Sequence, residues 1–231
     1  MEYASIVERD ASAGAGAWDV ASDSRRPEEA AALGWAAAIP YLDLDNTLVV
    51  GPASAIRSVA DMDRPGVRIG ALTGTKAEQN LSGLVTQAEV VRTATVAELV
   101  PLLRAGQVDA LVSIRSIVLA FAAQVPGARV LADRYAVTQQ RLMLAPGRAA
   151  AGLALASAVT REALASGQIR AAIERYGVVG AQAAPLPGPG ALPRTGSAGS
   201  APGRPAAVLG AALVATGAGL LAHPRRVGPA T

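Results

Sequence analysis

Thr73, Gly74, Thr75 and Lys76 are the residues of this chain whose types and spacing most readily do chemistry. They follow a short apolar run, 67–72, and precede a helical pattern over 77–85, so the spacing predicts a strand delivered to a helix. Pro65 and Gly66 punctuate the turn before that strand. The first amides of a helix have no intrahelical acceptor, and hydroxyls beside them add further donors. Such a turn suits holding a ligand more than breaking a bond. Residues for bond-breaking are scarce elsewhere. The one histidine, His223, lies in the tail, so no Ser-His-Asp arrangement or multi-histidine metal site can form. With no cysteine there is no thiolate nucleophile, thiolate metal ligand or disulfide. Gly74-Thr75-Lys76 lacks the spacing of a phosphate-binding P-loop. No catalytic residue, metal or cofactor is expected. The competing reading of Thr73 and Thr75 is that they only cap the helix.

The elements that must position this turn alternate. Strand-like runs at 89–92, 108–113 and 128–131 are interleaved with helix-like runs at 96–105 and 116–124, the α/β pattern of a parallel sheet with covering helices. An extended run, 135–144, is followed by helical stretches at 148–166 and 168–176 that break at Gly167. This order suits a lobe reached and left by two hinge strands, 47–50 outgoing and 135–144 returning. The 231 residues suffice for one large or two small domains, and a hydrophobic content of 51% suffices for a core. Aromatics make up only 3%, so that apolar content is mostly small side chains. The net charge of +3 comes from scattered arginines without interleaved aromatics, and no nucleic-acid partner is expected.

Several pieces in order resemble the family 3 extracellular solute-binding proteins, the capture subunits of ABC importers for polar amino acids and similar small solutes. Residues 15–21 look like that family's first Gly-x-x-Asp-hydrophobic strand, and Pro40-Tyr41 like its Pro-Tyr before the hinge. Residues 105–111 look like its Ala-Gly-x-x-Asp-Ala strand, and Ser166-Gly167 with Tyr176-Gly177 like its closing helices. The strand and Gly-Thr turn at 67–75 is similar to the turn that contacts ligand in the second lobe. The resemblance spans roughly 14–185. It implies an α/β, two-lobed, type II periplasmic-binding-protein-like fold that captures a small polar solute for an ABC permease.

In the amino-acid-binding members an Arg clamps the ligand carboxylate and an Asp holds its amine; a guanidinium suits the first role because it meets a carboxylate bidentately. Here the Arg position falls near Glu29, beside Arg25 and Arg26, and the Asp position near Ile114, beside Arg115. The ligand-binding set implied is therefore Thr73, Gly74, Thr75, Lys76 and Arg115. This donor-rich group is better matched to an anion or a polyol than to an α-amino acid. Arg115 as a merely solvated side chain is the alternative.

Asp43-Leu44-Asp45-Asn46-Thr47 resembles, instead, the first motif of haloacid-dehalogenase-type phosphohydrolases, in which the first Asp attacks phosphorus and the second is general acid/base beside Mg²⁺. That chemistry needs a downstream acidic pair. The acids far downstream, Asp109, Asp133, Glu162 and Glu174, are isolated from one another and form no such pair.

The organisation expected is a partial first lobe over 1–46, a second lobe with its hinge strands over 47–138, and a return to the first lobe over 139–185. A Pro/Gly/Ser linker follows over 186–205, and a hydrophobic segment with a basic end over 206–231. No secretory signal is legible after Met1, and residues 1–13 cannot supply the first strands of lobe 1, so an incomplete lobe or a non-functional remnant of a solute-binding gene are both consistent with the start. Within the linker, Leu192-Pro193-Arg194-Thr195-Gly196 resembles the Leu-Pro-x-Thr-Gly sorting signal that sortase cuts after Thr to join a protein to the cell wall. The apolar stretch 206–222 and then Arg225 and Arg226 follow in the order such signals require. A chance pentapeptide in a biased tail is the other reading. If the chain is exported, its expected place is the cell surface, held at membrane or wall.

Overall fold

One strand organises the molecule. β2 runs for 15 residues, Ala36–Val50, and every other part of the sheet is built outward from it. The computed structural model describes residues 10, 12, 16 and 18–188. The remaining strands are β1 (Val20–Asp23), β3 (Arg68–Leu72), β4 (Glu89–Thr93), β5 (Ala110–Ile114), β6 (Arg129–Val130), β7 (Ala136–Leu144) and β8 (Ala181–Ala183). The helices are α1 (Pro27–Ala31), α2 (Lys76–Ser82), α3 (Val96–Arg104), α4 (Arg115–Ala122), α5 (Ala149–Ala165) and α6 (Gln168–Tyr176). The sheet order is β1-β7-β2-β5-β3-β4, with β6 and β8 also pairing on β2.

Over its first part β2 pairs antiparallel with β7, as far as Asn46 opposite Ala136; from Asn46 opposite Ile114 onward it pairs antiparallel with β5. Asn46 thus stands at the handover between two halves of one continuous sheet. Parallel pairing, expected for the alternating strands at 67–72, 89–92, 108–113 and 128–131, holds for β3 with β4 and β5, whereas β6 pairs antiparallel with β2. The sheet is mixed because β2 and β7 carry the chain between the halves in opposite directions, and neighbours that do so must run antiparallel.

In the second half, period-2 alternation sorts side chains onto two faces. Leu48, Val50, Ile69, Ala71, Ala110 and Val112 form one core with Leu81 of α2. Val49 and Leu111 join Leu99, Leu103, Val118 and Phe121 of α3 and α4 in the other. In the first half, Leu142 and Leu144 of β7 face Ala156 of α5, while Met143 faces Ala30 and Trp35 beside α1. Trp18 meets Trp35 edge to face, with ring centroids 5.1 Å apart.

Two loops are fastened by carboxylates. Asp63 accepts from the amides of Thr86, Gln87 and Ala88. These bonds outweigh desolvation and hold its carboxyl at about 2, below the usual range. Asp133 accepts from the Val59 amide at 2.9 Å. Within the described residues no helix is long and apolar enough to cross a membrane. The sorting-like motif at 192–196 and the apolar segment at 206–222 lie outside those residues.

Candidate functional site

The expected strand-to-helix turn is present. β3 ends at Leu72, Gly74 takes φ 77°, and Thr75 caps α2. That left-handed backbone favours glycine, and a Cβ there would meet nothing within 4 Å, so the requirement at Gly74 is conformational and not spatial. Thr75 Oγ1 accepts from the Glu78 amide at 3.2 Å and donates to the Leu72 carbonyl at 2.9 Å. Its hydroxyl is thereby engaged in the cap that the sequence offered as the competing reading.

The turn forms one wall of a cleft of about 480 Å³. Gly74, Thr75, Lys76 and Gln79 line it from the second half of the molecule, and Asp23, Ser24, Arg25 and Glu29 line it from the first. Pro27 opens α1 and Glu28 and Glu29 occupy its first turn. This is the Pro-then-acid pattern of a helix start, and it would have flagged the opposing wall from the sequence. Glu29 Oε2 accepts from the Arg26 amide at 2.7 Å. Across the cleft, Lys76 Nζ donates to Glu29 Oε1 at 2.8 Å and Oε2 at 3.0 Å, and to Gln79 Oε1 at 3.2 Å. Burial works to raise the Glu29 carboxyl, but the bonds from Lys76 and the Arg26 amide prevail and hold it at about 2. Arg25 is tied down as well. Its Nη1 donates to Asp23 Oδ2 at 2.9 Å, its Nη2 to Asp10, and its guanidinium lies 5.1 Å from the Trp35 ring centroid.

Of the five expected ligand-binding residues the cleft gathers Gly74, Thr75 and Lys76. Thr73 is exposed beside them but outside the lining. Arg115 lies elsewhere: it donates to the carbonyls of Leu131, Ala132 and Asp133 and stands 3.7 Å from Asp45. It is packed so closely on Gly180 that a Cβ there would be 2.5 Å from its own. Ile114 packs against the core beneath α5 and α6.

Asp43 and Asp45 stand inside β2. Asp43 accepts from Gln139 at 3.1 Å, and Asp45 is held by Arg134 at 2.7 Å and by Arg115. Their partners are the protein's own amide and guanidinium groups, as in a structural strand. Among the described residues no three His, Cys, Asp or Glu side chains are grouped as metal ligands would be.

No family model matches the chain, and no curated protein does. Solved structures do. The GluR0 ligand-binding core in complex with L-glutamate superposes with a TM-score of 0.63 at 21% identity, over 76% of this chain and 80% of that one. A mutant of ArgBP from T. maritima gives 0.57 at 20% identity, over 74% of this chain and 73% of that one. The ancestral amino-acid-binding protein AncCDT-1, a precursor of cyclohexadienyl dehydratase, gives 0.58 at 18% identity, over 72% of each chain. At such identities the likeness establishes the fold: α/β and two-lobed, of the periplasmic-binding-protein type.

Proposed function

We propose that this protein is an extracellular solute-binding protein that closes two lobes over a small polar solute and presents it to an ABC permease. The observation that carries the reading is the cleft itself, lined from both halves of a sheet that β2 runs through, and supplied with charges of both signs. Gly74, Thr75 and Lys76 form the wall of the second half; Asp23, Arg25 and Glu29 form the other. With carboxylates as well as cations at its rim, the cleft suits a solute bearing both donors and acceptors, an amino acid or organic anion among them. The full chain is expected to melt at a higher temperature with its solute. A ligand at ten times its Kd adds about 1.4 kcal/mol, and the absence of any shift across amino acids, organic anions and polyols overturns the reading.

Retention at the cell surface belongs to the same proposal and is supported by residues 192–196, followed by the apolar stretch and the basic pair. Mass spectrometry of wall digests is expected to find a peptide ending at Thr195. Mature protein that keeps Arg225 and Arg226 contradicts sortase processing.

A further inference from the structure

Lys76 has no donor to spare. An ammonium carries three N–H groups, and those of Lys76 meet Glu29 Oε1, Glu29 Oε2 and Gln79 Oε1. Glu29 is equally engaged, taking the Arg26 amide and the Arg26 Nε at 3.0 Å besides Lys76. The two side chains come from opposite walls: α1 packs on β2 in the first half, and α2 packs on β5, β7 and β3. Their side chains are 14% and 27% exposed, so the pair is partly sheltered from water. Around them stand Asp23, Arg25, Arg26 and Glu28, of which Arg25 and Asp23 pair with each other and Arg26 pairs with Glu28. The Lys76–Glu29 bond is thus the ionic contact by which the α1 wall grips the α2 wall.

We infer that Glu29 and Lys76 form a latch that holds the two walls of the cleft together before any solute arrives, so that a polar solute competes with this pair for the charges of the walls. The inference rests on the two-walled cleft of the proposed function, but it is tested without a ligand and so fails or stands apart from solute capture.

The chain has no cysteine, so two introduced thiols label cleanly. Leu84→Cys, in the second half, and Leu155→Cys, on α5, replace exposed side chains (49% and 65%) far from the cleft lining. Nitroxide labels there report lobe separation by pulsed electron-spin resonance on the ligand-free full chain. Lys76→Glu is expected to move the distance distribution to longer values, Lys76→Gln to move it part of the way, and the reversed pair Glu29→Lys with Lys76→Glu to return it to the parent distribution. The neutral Gln variant keeps the test decisive should the like-charged variant fold poorly. Distributions unchanged in Lys76→Gln, or a reversed pair that stays open, overturn the latch.

Discussion

Truncating Phe121 to alanine is expected to destabilise the protein by about 3–5 kcal/mol, the usual loss for a buried phenylalanine that leaves a cavity. Phe121 is the only phenylalanine in the chain and is 1% exposed. It sits on α4 among Val49, Leu99, Val100, Leu103, Leu111, Val118 and Val125. Those neighbours are medium-sized aliphatics, Val49 and Leu111 fixed on strands and Leu99, Val100 and Leu103 on the facing helix α3, which cannot swing in to fill the space. Against a typical domain stability of about 5–15 kcal/mol, the loss is large. It falls on the half of the molecule that presents Lys76. Urea denaturation measures it through the midpoint at constant slope. A loss below about 1 kcal/mol would mean that this core is not packed as described. Phe121→Leu keeps most of the volume and should lose much less.

The second large effect is expected where β2 passes from β7 to β5. Asn46 is wholly buried and donates its amide to Thr138 Oγ1 at 2.9 Å, with Thr138 only 4% exposed. Removing one partner strands the other in a dry site, which costs about 1–3 kcal/mol, whereas replacing both removes the unmet polar groups together. Asn46→Val and Thr138→Val should therefore each destabilise by about 2 kcal/mol, while the double variant should lose less than the sum. Equal losses for the double variant and that sum in a double-mutant cycle would show that the pair is not coupled.

The sequence was most legible where local rules acted alone. The strand, Gly-Thr turn and helix at 67–85 are marked by a run of apolar residues, a glycine at the left-handed position and a capping threonine, and each lies within a few residues of the next. α6 is bounded by Gly167 and Gly177, both with positive φ, and its limits of 168–176 are those expected. β2 was legible only at its end, because Asp43 and Asp45 interrupt the apolar pattern. What permits those acids in a central strand is Gln139, Arg134 and Arg115, supplied from far along the chain. The same holds for the site. One wall was read from local punctuation, but the bond between Glu29 and Lys76 joins residues 47 positions apart, and nothing in either neighbourhood announces the other. The place of Arg115 beside Ile114 suggests a ligand contact, and only the fold reveals that its guanidinium is taken up by three backbone carbonyls.

Because β2 crosses from one half to the other without interruption, with β7 hydrogen-bonded alongside it, the lobes are not two bodies on a loose string. At the crossing β2 is bonded on both edges, by β7 on one side and by β8 and then β5 on the other, so moving one half against the other has to bend a hydrogen-bonded sheet. The register slips between Ala37, Pro40 and Leu42 in the pairing of β2 with β7 are its irregular stretch, where a bulge leaves backbone groups unpaired and bends its strand. They lie on the first-lobe side of Asn46. The irregular stretch is therefore set off-centre, inside the half that carries α1, while the pairing of β2 with β5 runs without a slip.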